Sequence, residues 1–171
     1  MAKKQRRIQC SSLIVVGEGP HDKAFINHMK SLYDSRNTGQ TVKVESAMGG
    51  SPLAIVKSAL KNKHADYDKR YVLMDSDVEI PQQYLAYAKK NKVTIILSTP
   101  VCLEGMLLEV LELRVIEGAT NTECKRRLHP MLSGEPTCKD SYVTLFTKQV
   151  LDDTEKEAIV DLRQLLANEF G

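Results

Sequence analysis

No stretch of this chain approaches the roughly 20 consecutive apolar residues of a membrane-crossing helix, and no signal peptide is read at its start. No contact with a membrane is therefore expected. The four cysteines, Cys10, Cys102, Cys124 and Cys138, form no CxxC pair, which argues against both a zinc knuckle and a disulfide framework. They read as reduced, mostly buried thiols of a cytoplasmic protein. Internal repeats and low-complexity tracts are missing too. Formal net charge is only +2, too small by itself to announce a nucleic-acid binder. What the chain does have is 171 residues, 42% of them apolar, enough to build the core of one compact domain.

The most informative stretch runs from Lys69 to Asp77. Val72-Leu73-Met74 is an apolar run with no polar alternation, which suits a strand buried on both faces of a parallel sheet. It ends in Asp75-Ser76-Asp77. Side chains alternate along an extended chain, so Asp75 and Asp77 aim two carboxylates at one point beyond the strand. Open α/β sheets place their chemistry there. Two like charges so close are costly unless a cation sits between them. Read in isolation, the pair equally caps a helix starting near Pro81 or lies in a solvated loop.

The rest of the chain repeats this pattern. Residues 1–11 form a basic arm with Lys3, Lys4, Arg6 and Arg7, either solvated or touching phosphate. From residue 12 to the end a single domain is expected, with 113–171 as a helical C-terminal extension. Leu13 to Val16 is a buried-strand run closed by Gly17-Glu18-Gly19-Pro20. Pro20 and Asp22 suit the first turn of a helix whose apolar face (Phe25, Met29, Leu32, Tyr33) reaches about Ser35. Glu18 therefore sits between a first strand and a first helix, as a site residue or as a helix cap. Thr41 to Met48 alternates and reads as an edge strand. Gly49-Gly50 is a turn or a phosphate cradle, followed by an N-cap at Ser51 and a helix burying Leu53, Val56 and Leu60. Pro81 opens a helix with Leu85 and Ala88 on one face, and its terminal lysines complement the negative end. Val93 to Leu97 is a fourth strand, and a helix begins near Leu103 carrying Glu104. Thr120 to Leu132 reads as one basic helix with Lys125, Arg126 and Arg127. A looser segment from Ser133 to Asp140 contains Lys139, and a last helix from about Asp152 buries Ile159, Leu162, Leu165 and Leu166.

Strands separated by helices predict a three-layer α/β/α, Rossmann-like domain with a mainly parallel sheet of about four strands. If the first and third strands are neighbours, Glu18, Asp75 and Asp77 converge at one crevice.

A strand ending in Glu18-Gly19, then a helix, then a later strand ending in Asp75-x-Asp77, resembles the Toprim domain of topoisomerases, bacterial primases and OLD-family nucleases. The likeness is greatest to the RloB-like branch of small Toprim proteins, often associated with bacterial or phage defence. Beyond the acids, Gly49-x-x-Pro52 and the stretch from Ser98 to Leu111 carry it. In that stretch the branch reads Ser-x-Pro-Cys-Phe-Glu-x-Trp-Leu-Leu-x-His. Here Val101 is an extra residue, Leu103 stands for the phenylalanine, Met106 for the tryptophan and Val110 for the histidine, while Glu104 is kept.

The resemblance implies a Mg²⁺-dependent nuclease, with Mn²⁺ as the alternative ion. Asp75 and Asp77 would hold the metal, and Glu18 would be a further ligand or the general base. Glu104 would complete a second metal position, and Lys139 would stabilise charge on the phosphate. Lys125, Arg126 and Arg127 would contact the nucleic-acid backbone, and an ATPase is the partner that relatives imply. The contrasting expectation is a non-catalytic Toprim-like subunit or regulator of a larger assembly.

Overall fold

The computed structural model describes residues 10–34, 39–61 and 66–169. The basic arm residues Lys3, Lys4, Arg6 and Arg7 lie outside the described residues, as does Ser35. Four strands form one sheet: β1 (Ser11–Gly17), β2 (Gln40–Ser46), β3 (Lys69–Asp75) and β4 (Val93–Ser98). Their order is β2-β1-β3-β4 and every pairing is parallel. The first and third strands are neighbours, with Gly17 opposite Leu73. The sequence expectation of a parallel α/β/α, Rossmann-like fold is met.

The two central strands show why their sequences lack polar alternation. Leu13, Val15 and Leu73 enter one core, and Ile14, Val16, Val72 and Met74 enter another on the opposite face. Strand β2 lies at an edge and alternates, as its sequence predicts.

The first face is covered by α1 (Pro20–Tyr33), α4 (Leu103–Val110), α5 (Asn121–Leu128), α6 (Lys148–Asp153) and α7 (Glu157–Leu166). The second is covered by α2 (Pro52–Ser58) and α3 (Gln82–Lys90). The C-terminal helices share one core with α1 and β1, through Leu128, Tyr142, Phe146, Leu151, Ile159 and Leu162. Within it, Phe25 packs edge-on against Tyr142 and Phe146 at 5.6 and 5.8 Å. His28, only 1% exposed, donates from Nε2 to the Phe146 carbonyl at 2.6 Å. Of the four thiols, Cys10 and Cys138 are exposed while Cys102 and Cys124 are buried where α4 meets α5.

Several boundaries differ from the sequence reading, each for a local reason. The basic run from Thr120 is not one helix: α5 stops at Leu128 and a 3-10 turn spans His129–Met131. Pro130 has no N–H to donate and its ring crowds the preceding turn, so the α-helix cannot continue through it. The helix expected from Asp152 is two helices. Asp152 belongs to α6, and α7 begins after Thr154-Glu155-Lys156. Ile55, Val56 and Ala59 form the buried side of α2, with Leu60 only partly buried, and Leu85 on α3 is exposed while Ala88 is buried. Ser51 caps α2 as expected, accepting from the Ala54 N–H at 3.3 Å.

Candidate functional site

After β1 the chain turns into α1 on one face of the sheet. After β3 it turns toward α3 on the other. The two connections diverge, and the gap between them, at the carboxyl ends of adjacent strands, is where open α/β sheets bind ligands. Glu18 and Asp75 stand on its two sides.

Glu18 is held by main chain on three counts. Its N–H donates to the Leu73 carbonyl at 3.1 Å, and its carbonyl accepts from the Gly49 N–H at 2.8 Å. Its Oε2 accepts from the Asp75 N–H at 3.0 Å. Gly17 permits the tight turn that follows, because a Cβ there would lie 2.5 Å from the Asp22 Cβ. Gly49 serves this turn through its bond to Glu18, with φ of 81° that favours glycine.

Asp75 is half-buried. Its Oδ1 accepts from the Leu103 N–H at 3.2 Å, at the N-terminus of α4, and its Oδ2 accepts from Asn121 Nδ2 at 3.0 Å, at the start of α5. Burial pushes its carboxyl up to about 7, and the charges of Glu18, Glu104 and Asp77 push the same way against the Leu103 N–H. Ser76 ties the aspartate turn to the loop after β4: its hydroxyl donates to the Ser98 carbonyl at 2.7 Å and its N–H to the Val101 carbonyl at 3.0 Å. Val101, the extra residue of that loop, adopts φ of 66°. Few β-branched residues sit there, and the conformation turns its carbonyl onto the aspartate loop.

Glu104, in the first turn of α4, is 3% exposed. One oxygen, Oε1, meets His21 Nδ1 at 3.0 Å and His129 Nε2 at 2.9 Å. Burial alone would push this carboxyl up. The His129 bond, its own backbone N–H, the Lys125 charge and the His21 bond together hold it below the ordinary glutamate value. The Pro130 break at the end of α5 places His129 in the turn where it meets Glu104.

Asp22 adds a fourth acid, buried as Glu104 is. Its Oδ2 accepts from the Gly19 N–H at 2.9 Å, the acid half of a capping box, while its buried Oδ1 has no hydrogen-bond partner. Burial and the Asp75 charge push this carboxyl up to about 8.

Glu18 and Asp75 form a ridge between two clefts. One, about 250 Å³, includes Asp77, Ser51 and Gly50 in its lining. The other, about 220 Å³, includes His21, Asp22, Glu104, Asn121 and Lys125. Glu18, Asp75 and Asp77 therefore share one cleft, and Glu104 lies across the ridge with Lys125. The expected acids are thus split between two sides of one ridge. Among the described residues, the one group of three or more His, Cys, Asp or Glu side chains whose ligand atoms all lie within 4.8 Å is His21, Glu104 and His129.

No family model, characterised protein or solved structure matches this chain.

The other predicted residues lie further out. Lys125 lines the second cleft, but Arg126 and Arg127 are exposed and line a separate groove with Arg114 and Ile116. Arg127 Nη1 donates there to the Arg114 carbonyl at 3.0 Å. Lys139 is exposed in a 3-10 turn (Lys139–Tyr142) beside α1, where its charge acts on His28, and it lines neither cleft. Three site residues carry no expectation from the sequence: His21, Asn121 and His129. His21 sits two residues beyond Glu18-Gly19, and that proximity is the one local signal for it. Asn121 and His129 meet the site only through the packing of α5 on α4.

Proposed function

We propose that this protein is a magnesium-dependent nuclease of the Toprim type, hydrolysing phosphodiesters of DNA or RNA. The observation that carries the reading is the placement of Glu18, Asp75 and Asp77 around one cleft at the carboxyl ends of β1 and β3. Their donor set is all carboxylate oxygen, which suits a hard cation. The upward push on Asp75 from burial and from Glu18 is the cost that such a cation would offset. Magnesium bound there supplies a Lewis acid for the scissile phosphate and lowers the pKa of water.

The chain's own residues do the rest. The Leu103 N–H and Asn121 fix the Asp75 carboxylate, and the Asp75 N–H fixes Glu18. Exposed Asp77 reaches the cleft from the solvent side. Lys125 offers a cation to a backbone phosphate across the ridge.

One observation favours the rival reading, a non-catalytic Toprim-like subunit: both Asp75 oxygens already accept hydrogen bonds from the protein. The test is cleavage of single- and double-stranded DNA and RNA with Mg²⁺ or Mn²⁺, alone and with a candidate ATPase partner. Metal-dependent cleavage that is lost in Asp75→Ala and Asp77→Ala, with the circular-dichroism spectrum unchanged, supports the nuclease. A clean preparation that cuts none of these substrates supports the subunit.

A further inference from the structure

A second cluster lies across the ridge from the acidic cleft. His21 opens α1, Glu104 opens α4, and His129 begins the turn forced by Pro130. Three separate elements therefore bring three ligand atoms together. His21 Nδ1 and His129 Nε2 lie 3.0 and 2.9 Å from the same oxygen, Glu104 Oε1, and all three ligand atoms lie within 4.8 Å. Ligands about 2.0–2.1 Å from a tetrahedral Zn²⁺ are separated by roughly 3.3 Å. The two Glu104 contacts need to open by a few tenths of an ångström to match that spacing, and the two imidazole nitrogens, within 4.8 Å of each other, to close by at most about 1.5 Å. The two imidazole rings stand at 88° with centroids 4.9 Å apart, so they meet edge to face and do not stack.

The surroundings supply an independent observation that points to a cation. Asp22 is 6% exposed, lines the same cleft as His21 and Glu104, and has an Oδ1 with no hydrogen-bond partner. A buried acid with an oxygen left without a partner is costly in its charged form unless positive charge is near. The cleft of about 220 Å³ leaves room for a water or a phosphate oxygen in an open position.

We propose that His21, Glu104 and His129 form a site for a divalent transition metal of the Zn²⁺ class, with an open coordination position facing the cleft lined by Lys125. Two imidazoles and one carboxylate are a borderline donor set that favours Zn²⁺ over Mg²⁺. The site is chemically distinct from the all-oxygen triad of Glu18, Asp75 and Asp77, and it does not depend on the nuclease reading. It assigns Glu104 to the histidines. Binding replaces the hydrogen bonds at Glu104 Oε1, and any proton shared there leaves to solvent.

The experiment is equilibrium dialysis of the full chain against Zn²⁺, with Cys10→Ser and Cys138→Ser as background so that exposed thiols bind nothing. The expected result is one Zn²⁺ per chain, retained in a large excess of Mg²⁺. His21→Ala and His129→Ala should each weaken binding by roughly tenfold or more. If either variant fails to fold, Co²⁺ absorption of the parent protein decides. A visible d–d spectrum of four- or five-coordinate nitrogen and oxygen ligation, without a thiolate charge-transfer band, supports the site. Absence of stoichiometric Zn²⁺, displacement by Mg²⁺, a thiolate band, or unchanged affinity in both folded variants overturns it. Zinc binding without cleavage would leave this site standing and count against the nuclease; cleavage without zinc binding would do the reverse.

Discussion

Replacing Asp75 by asparagine should make the metal-free protein more stable. The Asp75 carboxyl is pushed from an ordinary 3.8 up to about 7, chiefly by burial and then by Glu18. At about 1.36 kcal/mol for each unit, the charged form costs a gross figure of about 4 kcal/mol above pH 7. The cleft is open to water and the group is only half-buried, so screening leaves about 1–2 kcal/mol to be recovered. Asparagine keeps the shape and still accepts the Leu103 N–H. Its Nδ2 would face Asn121 Nδ2, but rotating the Asn121 amide presents an Oδ1 that now lacks a partner. For a chain of this length the gain corresponds to a rise in Tm of about 2–8 °C in EDTA.

The sign with pH is fixed by the direction of the shift. Because the folded pKa is raised, stability present below about 3.8 is lost as pH climbs through about 7. The advantage of the variant should therefore grow across that interval and level off above it. Mg²⁺ should raise the wild-type Tm and leave the variant nearly unmoved. Thermal melts in EDTA and in Mg²⁺ measure both. An asparagine variant that melts at or below wild type, with both proteins responding alike to Mg²⁺, would refute the reasoning and make Asp75 a plain anchor for α4 and α5.

Two other perturbations probe the frame around the site. Gly105→Ala would bring a Cβ within 2.3 Å of the Pro100 carbonyl oxygen and 3.3 Å of Cys124 Sγ. Backbone cannot yield as a side chain can, so a loss of about 1–3 kcal/mol is expected in a urea titration, and an unchanged midpoint would contradict the packing described. Burial holds His28 below its ordinary 6.5, so the stability it carries is present above that pH and is lost as pH falls through the lower folded value. His28→Gln should flatten the fall in Tm between about pH 7.5 and about pH 5.5; a slope equal to wild type would place the acid sensitivity elsewhere.

Much of the fold is legible in the chain because its signals are local. The unalternating runs at Leu13 to Val16 and Val72 to Met74 mark strands buried on both faces, and alternation marks the edge strand. The convergence of Glu18 with Asp75 follows once those strands are neighbours. The histidine half of the site is not legible in the same way. His129 reaches Glu104 only because α5 packs on α4 and because Pro130 ends the helix, and the packing is long-range information. The break itself was there to be read, since a proline inside a helical run is a stop signal. Asp22 satisfies the rule for an acid in a first turn, and nothing local reveals that it is buried with one oxygen unpartnered. The division between α6 and α7 lacks a proline or glycine: Thr154 is extended there and its hydroxyl accepts from the Lys156 N–H at 3.3 Å.

The sorting of the four thiols gives the molecule an internal clock. Cys102 and Cys124 are buried at the contact of α4 with α5, and burial pushes both thiols up, away from the reactive thiolate. Cys10 and Cys138 face solvent. An alkylating reagent would consume the exposed pair at once and then wait for the helices to part. The slow phase times the opening of the helix pair that supplies Glu104, Asn121 and His129. A ligand seated against those helices would lengthen that wait whatever its chemistry, so the protein reports occupancy of its own cleft through two sulfurs that never touch the ligand.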